Sequence, residues 1–305
     1  MSEDRPILTP RPLAPGDRVA IVSPAGIIKP QVVYNSLPVL ADCGWVPYVG
    51  VNTFNRSGTF AGTADERYYD LENALLDPDT RAIICSRGGY GAVHLLDRLD
   101  RLPLRDDPKW IVGYSDISAL HALMTRHGIK SIHAPMTKHI SENRGRDTDS
   151  RRLFEILSGS TPDLRAGSHS LNRTGQAEGL LVGGNLAVIA GLIGTPFDVI
   201  RPGRILFIED IAEPIYKVER ILYTLRLSGV LGSLAGLVVG RFTDYAPDRG
   251  SASMEEMISR MVADYSYPVA YGIPFGHVDH NVPLVCSSTV RLDVNKNSTV
   301  LTAIG

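Results

Sequence analysis

Cysteine is scarce in this 305-residue chain, and the three present, Cys43, Cys85 and Cys286, lie far apart. An odd, scattered set without a C-x-x-C pair supplies neither a disulfide framework nor a zinc or redox motif. An excess of one charge is lacking too. Lys and Arg number 31 against 33 Asp and Glu, a net charge of -2. No basic footprint therefore points to nucleic acid or to an anionic membrane surface. The chain has no P-loop lysine, no complete dinucleotide fingerprint and no internal repeat. Its opening, Met1-Ser2-Glu3-Asp4-Arg5, leads into proline-rich sequence with no apolar signal core. A reducing cytoplasm is the expected compartment.

Long charge-free runs are also few. Gly179 to Phe197 has the length of a membrane span, but it holds six glycines or prolines and Asn185 near its middle. The Gly183-Gly184-Asn185 cluster reads as a turn, so the stretch predicts a buried strand, a turn and a helix of small residues from Leu186 to Ile193. What remains is ordinary for a soluble globular protein: 44% hydrophobic and 21% charged residues. The length suggests about two domains.

Apolar runs at Arg18–Val22, Trp45–Val49, Ala82–Cys85 and Lys109–Val112 predict strands, and helical periodicity falls between them. Gln31 to Asp42 reads as a helix that Pro38 should disturb. Asp65 and Glu66 open the next, through Leu71, Ala74 and Leu75. A third carries Val93, Leu95, Leu96 and Leu99. Alternation at this spacing argues for a parallel α/β sheet. The sequence turns polar from Ser141 to Gln176, which marks the join between domains. Beyond it come a strand at Arg204–Ile208, a helix with Val218, Ile221, Leu222 and Leu225 on one face, a strand at Leu237–Gly240, and a helix from Met254 to Tyr265. A terminal hairpin turns around Asn295-Lys296-Asn297.

Within this frame Gly113-Tyr114-Ser115-Asp116-Ile117-Ser118 stands between a strand and a helix. Ser115 at the apex of such a turn is lifted out of the strand, in front of backbone N–H groups that have no partner inside the helix. That is the logic of a nucleophile elbow. Serine is equally a helix N-cap, with Asp116 favouring the helix dipole. The usual elbow also has a glycine where this chain has Ile117. Ser86-Arg87-Gly88-Gly89-Tyr90-Gly91 closes the preceding strand, and its glycines allow close backbone approach and unobstructed N–H donation. Both segments leave the C-terminal ends of strands, where open α/β sheets bind ligands.

A serine nucleophile needs a base and an orienting acid. His94, His121, His127, His133 and His139 fall with the first sheet and His169 in the polar join. His277 follows Gly276 in a Pro/Gly-rich loop, with His280 close behind. Among the acids Glu209 directly follows an apolar strand. Asp210, Glu213 and Glu219 compete with it.

The chain resembles the LD-carboxypeptidase family of serine peptidases, which includes the microcin-immunity peptidases. The resemblance rests on Pro15-Gly16-Asp17, Val22-Ser23-Pro24, Phe60-Ala61-Gly62-Thr63 with Arg67, Arg87-Gly88-Gly89-Tyr90-Gly91, Gly113–Ser118 and His133-Ala134-Pro135. It continues in Gly183-Gly184-Asn185-Leu186, Gly194-Thr195-Pro196-Phe197, Phe207-Ile208-Glu209-Asp210 and Gly276-His277. It implies Ser115 as nucleophile, His277 as general base and Glu209 as its orienting carboxylate. The backbone N–H groups of Gly89 and Asp116 are implied as oxyanion donors, with Gly88 a substitute for Gly89. The implied fold is a flavodoxin-like parallel-sheet N-terminal domain, 1–165, a linker, 166–178, and a smaller β/α C-terminal domain, 179–305. No metal or organic cofactor, nucleic acid or membrane is implied. The substrate would be a murein tetrapeptide losing terminal D-alanine in peptidoglycan recycling, and the protein a cytoplasmic homodimer. The alternatives are an immunity-type peptidase cleaving a peptidyl or aminoacyl nucleotide amide, and a catalytically silent ligand-binding protein. One departure stands out. After Pro283 the family commonly has glycine, where this chain reads Leu284-Val285-Cys286-Ser287.

Overall fold

A computed structural model of the chain describes residues 6–247 and 253–304. They divide into two compact units. The first runs to Thr161 and takes in Val282–Val285, and the second comprises Pro162–Asn281 and the chain from Cys286 on.

The first unit begins with β1 (Arg18–Val22), α1 (Pro30–Asp42), β2 (Val46–Val49), α2 (Ala64–Leu76) and β3 (Thr80–Cys85). It continues through α3 (Leu96–Leu99), β4 (Trp110–Gly113), α4 (Ser118–Arg126), β5 (Ser131–His133), α5 (Thr137–Glu142) and α6 (Thr148–Leu157). Strand β1 pairs in parallel with β2 and β3, β3 with β4, and β4 with β5. The order 2-1-3-4-5 is that of a doubly wound, flavodoxin-like sheet. Val19 and Ile21, Ala82 and Ile84, Val112 and Ile132 fall on one face by the period-2 alternation of strands. They pack on Val33 and Leu40 of α1 and Leu153, Ile156 and Leu157 of α6. The intervening Ala20, Ile83 and Ile111 are equally buried, so the strands read as continuous apolar runs. Thr63 caps α2 in a reciprocal capping box with Glu66. The expected disturbance at Pro38 does not end α1. Pro38 is exposed, on the side where solvent can serve the carbonyl that its missing N–H leaves unbonded.

The second unit holds β6 (Leu164–Gly167), β7 (Gly175–Asn185), α7 (Leu186–Ala190), β8 (Ile205–Ile211), α8 (Ile215–Leu227) and β9 (Gly236–Thr243). Then come α9 (Met254–Met261), β10 (Val269–Ala270) and, after β11 (Leu284–Cys286), which joins the first unit's sheet, β12 (Thr289–Val294) and β13 (Ser298–Ala303). Its sheet has the order β10-β9-β8-β7-β12-β13-β6. Strands β7 to β10 are parallel neighbours, and β7, β12, β13 and β6 are antiparallel. The stretch expected to be a linker, 166–178, thus contains the end of β6 and the start of β7. The hairpin turns where Asn295 Oδ1 accepts from the N–H groups of Asn297 and Ser298. Strand β11 is the edge of the first unit's sheet, beside β5. The stretch that departs from the family pattern is therefore this edge strand, and Ser287 after it has φ 61.

Candidate active site

In the first unit, β4 delivers the chain to a 3-10 turn, Ser115–Ile117, that runs into α4. Ser115 at the apex has φ 65. A non-glycine residue in this left-handed region is strained, and such strain collects at functional sites. The packing shows why Ile117 is tolerated where an elbow usually has glycine. A methyl group at Gly113 would stand 2.9 Å from Cγ1 of Ile117. The glycine sits before the serine instead of after it, and the isoleucine fills the space.

Beneath this turn, His121 is fully buried between Ser131 Oγ and the Gly113 carbonyl, 2.8 Å from each. A carbonyl only accepts, so Nε2 carries the hydrogen and Nδ1 accepts from Ser131. Burial pushes the His121 pKa down to about 3, and the nearby His133 pushes the same way. The Gly113 carbonyl also accepts from Ala134 N–H at 3.1 Å. The strand end that feeds the elbow is held from two sides.

The glycine loop after β3 approaches closely. A methyl at Gly88 would stand 2.7 Å from Ser115 Cβ and 3.4 Å from Asp116 N. Gly89 has φ 114 and Gly91 φ 125, which a side chain would resist. Gly26 N–H donates to Gly88 O at 3.0 Å. Ala92 N–H donates to Asp116 Oδ2 at 2.8 Å. Burial raises the Asp116 pKa, and against it act the Ala92 N–H and the positive charge of Arg67. Arg67, also buried, donates to Pro24 O at 2.6 Å and Gly91 O at 2.8 Å. The sequence offered Arg67 only as part of a motif, with no role.

In the second unit, Glu209 lies on β8 and is wholly buried. The β8–β9 register shifts between Ile208 and Asp210, and such a bulge re-aims the side chain at it. Oε2 of Glu209 meets Nδ1 of His277 at 2.8 Å. Nδ1 donates, leaving Nε2 to act as a base. Gly276 makes this approach possible: it has φ 109, and a methyl there would stand 2.6 Å from Glu209 Oε2. Gly276 N–H in turn donates to Asn281 Oδ1 at 2.9 Å.

Two of the competing acids are otherwise engaged. Asp210 accepts from Asn185 Nδ2, Ala187 N–H and Ile211 N–H, which ties β8 to the start of α7. Glu213 lies 3.5 Å from Lys217, and Glu219 is half-buried on α8. The other histidines have other partners: His127 with Asp100, His94 with Arg67, His169 stacked on Tyr271. His139, Asp147 and Asp149 bring ligand atoms within 4.8 Å of one another. Asp147 Oδ1, however, caps α6 by accepting from Asp149 and Ser150 N–H and from His139, which is the pattern of a helix cap.

A serine on a strand-to-helix turn, and a histidine beside a buried carboxylate, are side chains of the kinds that serine-type hydrolases use. The chain belongs to the LD-carboxypeptidase family: the model of that family's N-terminal domain matches residues 19–134 and that of its C-terminal domain residues 178–292. This makes it a serine-type carboxypeptidase by class. It is similar to the murein tetrapeptide carboxypeptidase of Pseudomonas aeruginosa, with 32% identity over 289 residues covering 92% of this chain and 94% of the other. The crystal structure of muramoyltetrapeptide carboxypeptidase from Oxalobacter formigenes has a TM-score of 0.85 and 29% identity, over 94% of this chain and 99% of that one. The microcin C7 self immunity protein MccF shares the fold, with a TM-score of 0.84 and 22% identity over 97% of this chain and 99% of that one. No helix among the described residues is long and apolar enough to cross a membrane.

Proposed function

We propose that this chain is an LD-carboxypeptidase that removes terminal D-alanine from murein tetrapeptides, with Ser115, His277 and Glu209 acting as one triad. The observation that carries the reading is the 2.8 Å contact between His277 Nδ1 and a fully buried Glu209. A carboxylate withdrawn from water beside an imidazole fixes the tautomer that a general base needs. The strained Ser115 turn, and the likeness to carboxypeptidases named for this substrate, support the same reading.

In the proposed reaction His277 Nε2 takes the Ser115 hydroxyl proton as Oγ attacks the amide carbonyl. The oxyanion accepts from the N–H groups of Asp116 and of Gly89. The C–N bond breaks, and His277 returns its proton to the departing D-alanine amine. Water, deprotonated by His277, then releases the acyl group from Ser115. A cytoplasmic homodimer working in wall recycling completes the proposal. Its compartment is supported by the three scattered cysteines, all of them free thiols.

The competing substrate class is an aminoacyl nucleotide amide, and the test offers both together. The proposal expects D-alanine release from the tetrapeptide at a kcat/KM at least about 100-fold above that for an aminoacyl sulfamoyl adenosine. Preference for the nucleotide would transfer the chain to the immunity branch. Cleavage of neither would favour a silent binding protein.

A further inference from the structure

Gly91 O and Ala92 N–H belong to one peptide group, and two buried ionisable side chains hold it from opposite ends. Arg67 Nη1 donates to the oxygen at 2.8 Å, and Asp116 Oδ2 accepts from the N–H at 2.8 Å. We propose that the Asp116 carboxylate and the Arg67 guanidinium are positioning residues that lock this peptide, and with it the Gly88–Gly91 loop, against the Ser115 turn. The inference rests on Ser115 being the nucleophile.

Gly88, Gly89 and Gly91 give the loop freedom that other residues lack, and glycine peptides reorient readily. An oxyanion site needs the reverse, donors already fixed before charge develops. A peptide group is planar, so gripping its two ends with opposite charge fixes its orientation. The far end of the loop is held by Gly26 N–H on Gly88 O at 3.0 Å. Arg67 also reaches Pro24 O at 2.6 Å, which ties in the loop after β1. The phenyl ring of Phe60 lies 5.1 Å from the guanidinium. Both side chains are only 3% exposed. Burying two ionisable groups adds little stability that apolar residues would not supply, so what they hold explains them better than what they stabilise.

Asp116 joins the two halves of the device. Its backbone N–H follows Ser115, while its carboxylate holds the glycine loop. One residue thereby sets the spacing between the two proposed donors. A misplacement of about 1 Å at such a site costs on the order of 100-fold in rate.

The experiment measures D-alanine release from murein tetrapeptide, and the affinity of a peptidyl boronic acid that mimics the tetrahedral adduct, in Asp116→Ala, Asp116→Asn, Arg67→Gln and Ser115→Ala. Circular dichroism checks folding. In Asp116→Ala kcat should fall about 100-fold with KM within about threefold of wild type, because ground-state binding is spared. Boronate affinity should fall in step with kcat. Asp116→Asn keeps an oxygen for Ala92 N–H and should remain within about tenfold of wild type. Arg67→Gln should also lose kcat, and it carries the test if Asp116→Ala does not fold. Wild-type kcat in a folded Asp116→Ala or Arg67→Gln, a loss confined to KM, or an Asp116→Asn no better than Asp116→Ala each overturns the proposal. Activity surviving in Ser115→Ala overturns the nucleophile assignment and the clamp with it. A dead Ser115→Ala beside a fully active Asp116→Ala overturns the clamp alone.

Discussion

His277 presents Nδ1 to Oε2 of Glu209 at 2.8 Å, and the glutamate has no exposure to water. The carboxylate accepts one hydrogen and thereby assigns the imidazole its tautomer. Glu209→Gln keeps the shape but offers an amide whose NH2 can drive the ring into the wrong tautomer. We expect kcat to fall by about 100- to 10,000-fold with little change in KM. Steady-state D-alanine release checks this. A kcat within a few-fold of wild type would mean that Glu209 does not orient the base.

Gly88→Ala tests the close approach of the loop to the elbow. The added methyl would lie 2.7 Å from Ser115 Cβ and 2.9 Å from Oγ. Either the loop or the serine must move, so kcat should drop at least about 10-fold. Stability should fall by about 1–3 kcal/mol, as for other overpacked sites. Denaturant unfolding and kinetics on the same preparation separate the two effects. Unchanged activity would show that the loop has room to give.

The flavodoxin-like sheet was legible because β1, β3 and β4 are buried on both faces and read as short apolar runs between helical periods. Strands β5 and β11 were not, since three residues carry no measurable alternation. Strand β6 was hidden by a polar, half-exposed pattern at Leu164–Gly167. The elbow's position followed from periodicity, but the left-handed φ of Ser115 did not, because nothing local marks a serine for it. Choosing Glu209 over Asp210 required the resemblance. Adjacent strand residues face opposite ways, and which face meets His277 depends on a bulge that no spacing reveals. Arg67 is silent in sequence for a related reason: its partners Pro24 and Gly91 lie 43 and 24 residues away.

His121 supplies a spectroscopic prediction. With its pKa pushed down to about 3 by burial, it should stay neutral, hydrogen on Nε2, from about pH 5 to 9. The folded pKa lies below the ordinary value of about 6.5, so its contribution to stability is intact above that pH and declines as pH falls from there toward 3. Nitrogen-edited NMR should show one histidine with a fixed Nε2–H and no titration above pH 5. A midpoint near 6.5 would contradict the buried bridge between Ser131 and Gly113.

Asp107 gives a second pH signature. Its hydrogen bonds with Arg81, and then with Lys109, hold its pKa down to about 2. Lys109 is almost wholly buried, whereas Asp107 is 46% exposed. The folded pKa lies below the unfolded value of about 3.9, so the stabilisation is present above that pH and lost as pH falls through 2. Asp107→Asn should cost about 1–3 kcal/mol at pH 7, discounted for the carboxylate's exposure. The difference from wild type should shrink below about pH 4. A cost that is constant with pH would mean that packing, and not charge, is what Asp107 provides.

If Ser115 is the nucleophile, one hydroxyl carries the amide cleavage, and a single comparison tests it. D-alanine released from murein tetrapeptide is measured for the wild-type chain and for Ser115→Ala, both confirmed as folded. Wild type should release D-alanine, and the variant should lose at least about 1,000-fold in kcat. Equal release by the two proteins would contradict the nucleophile assignment.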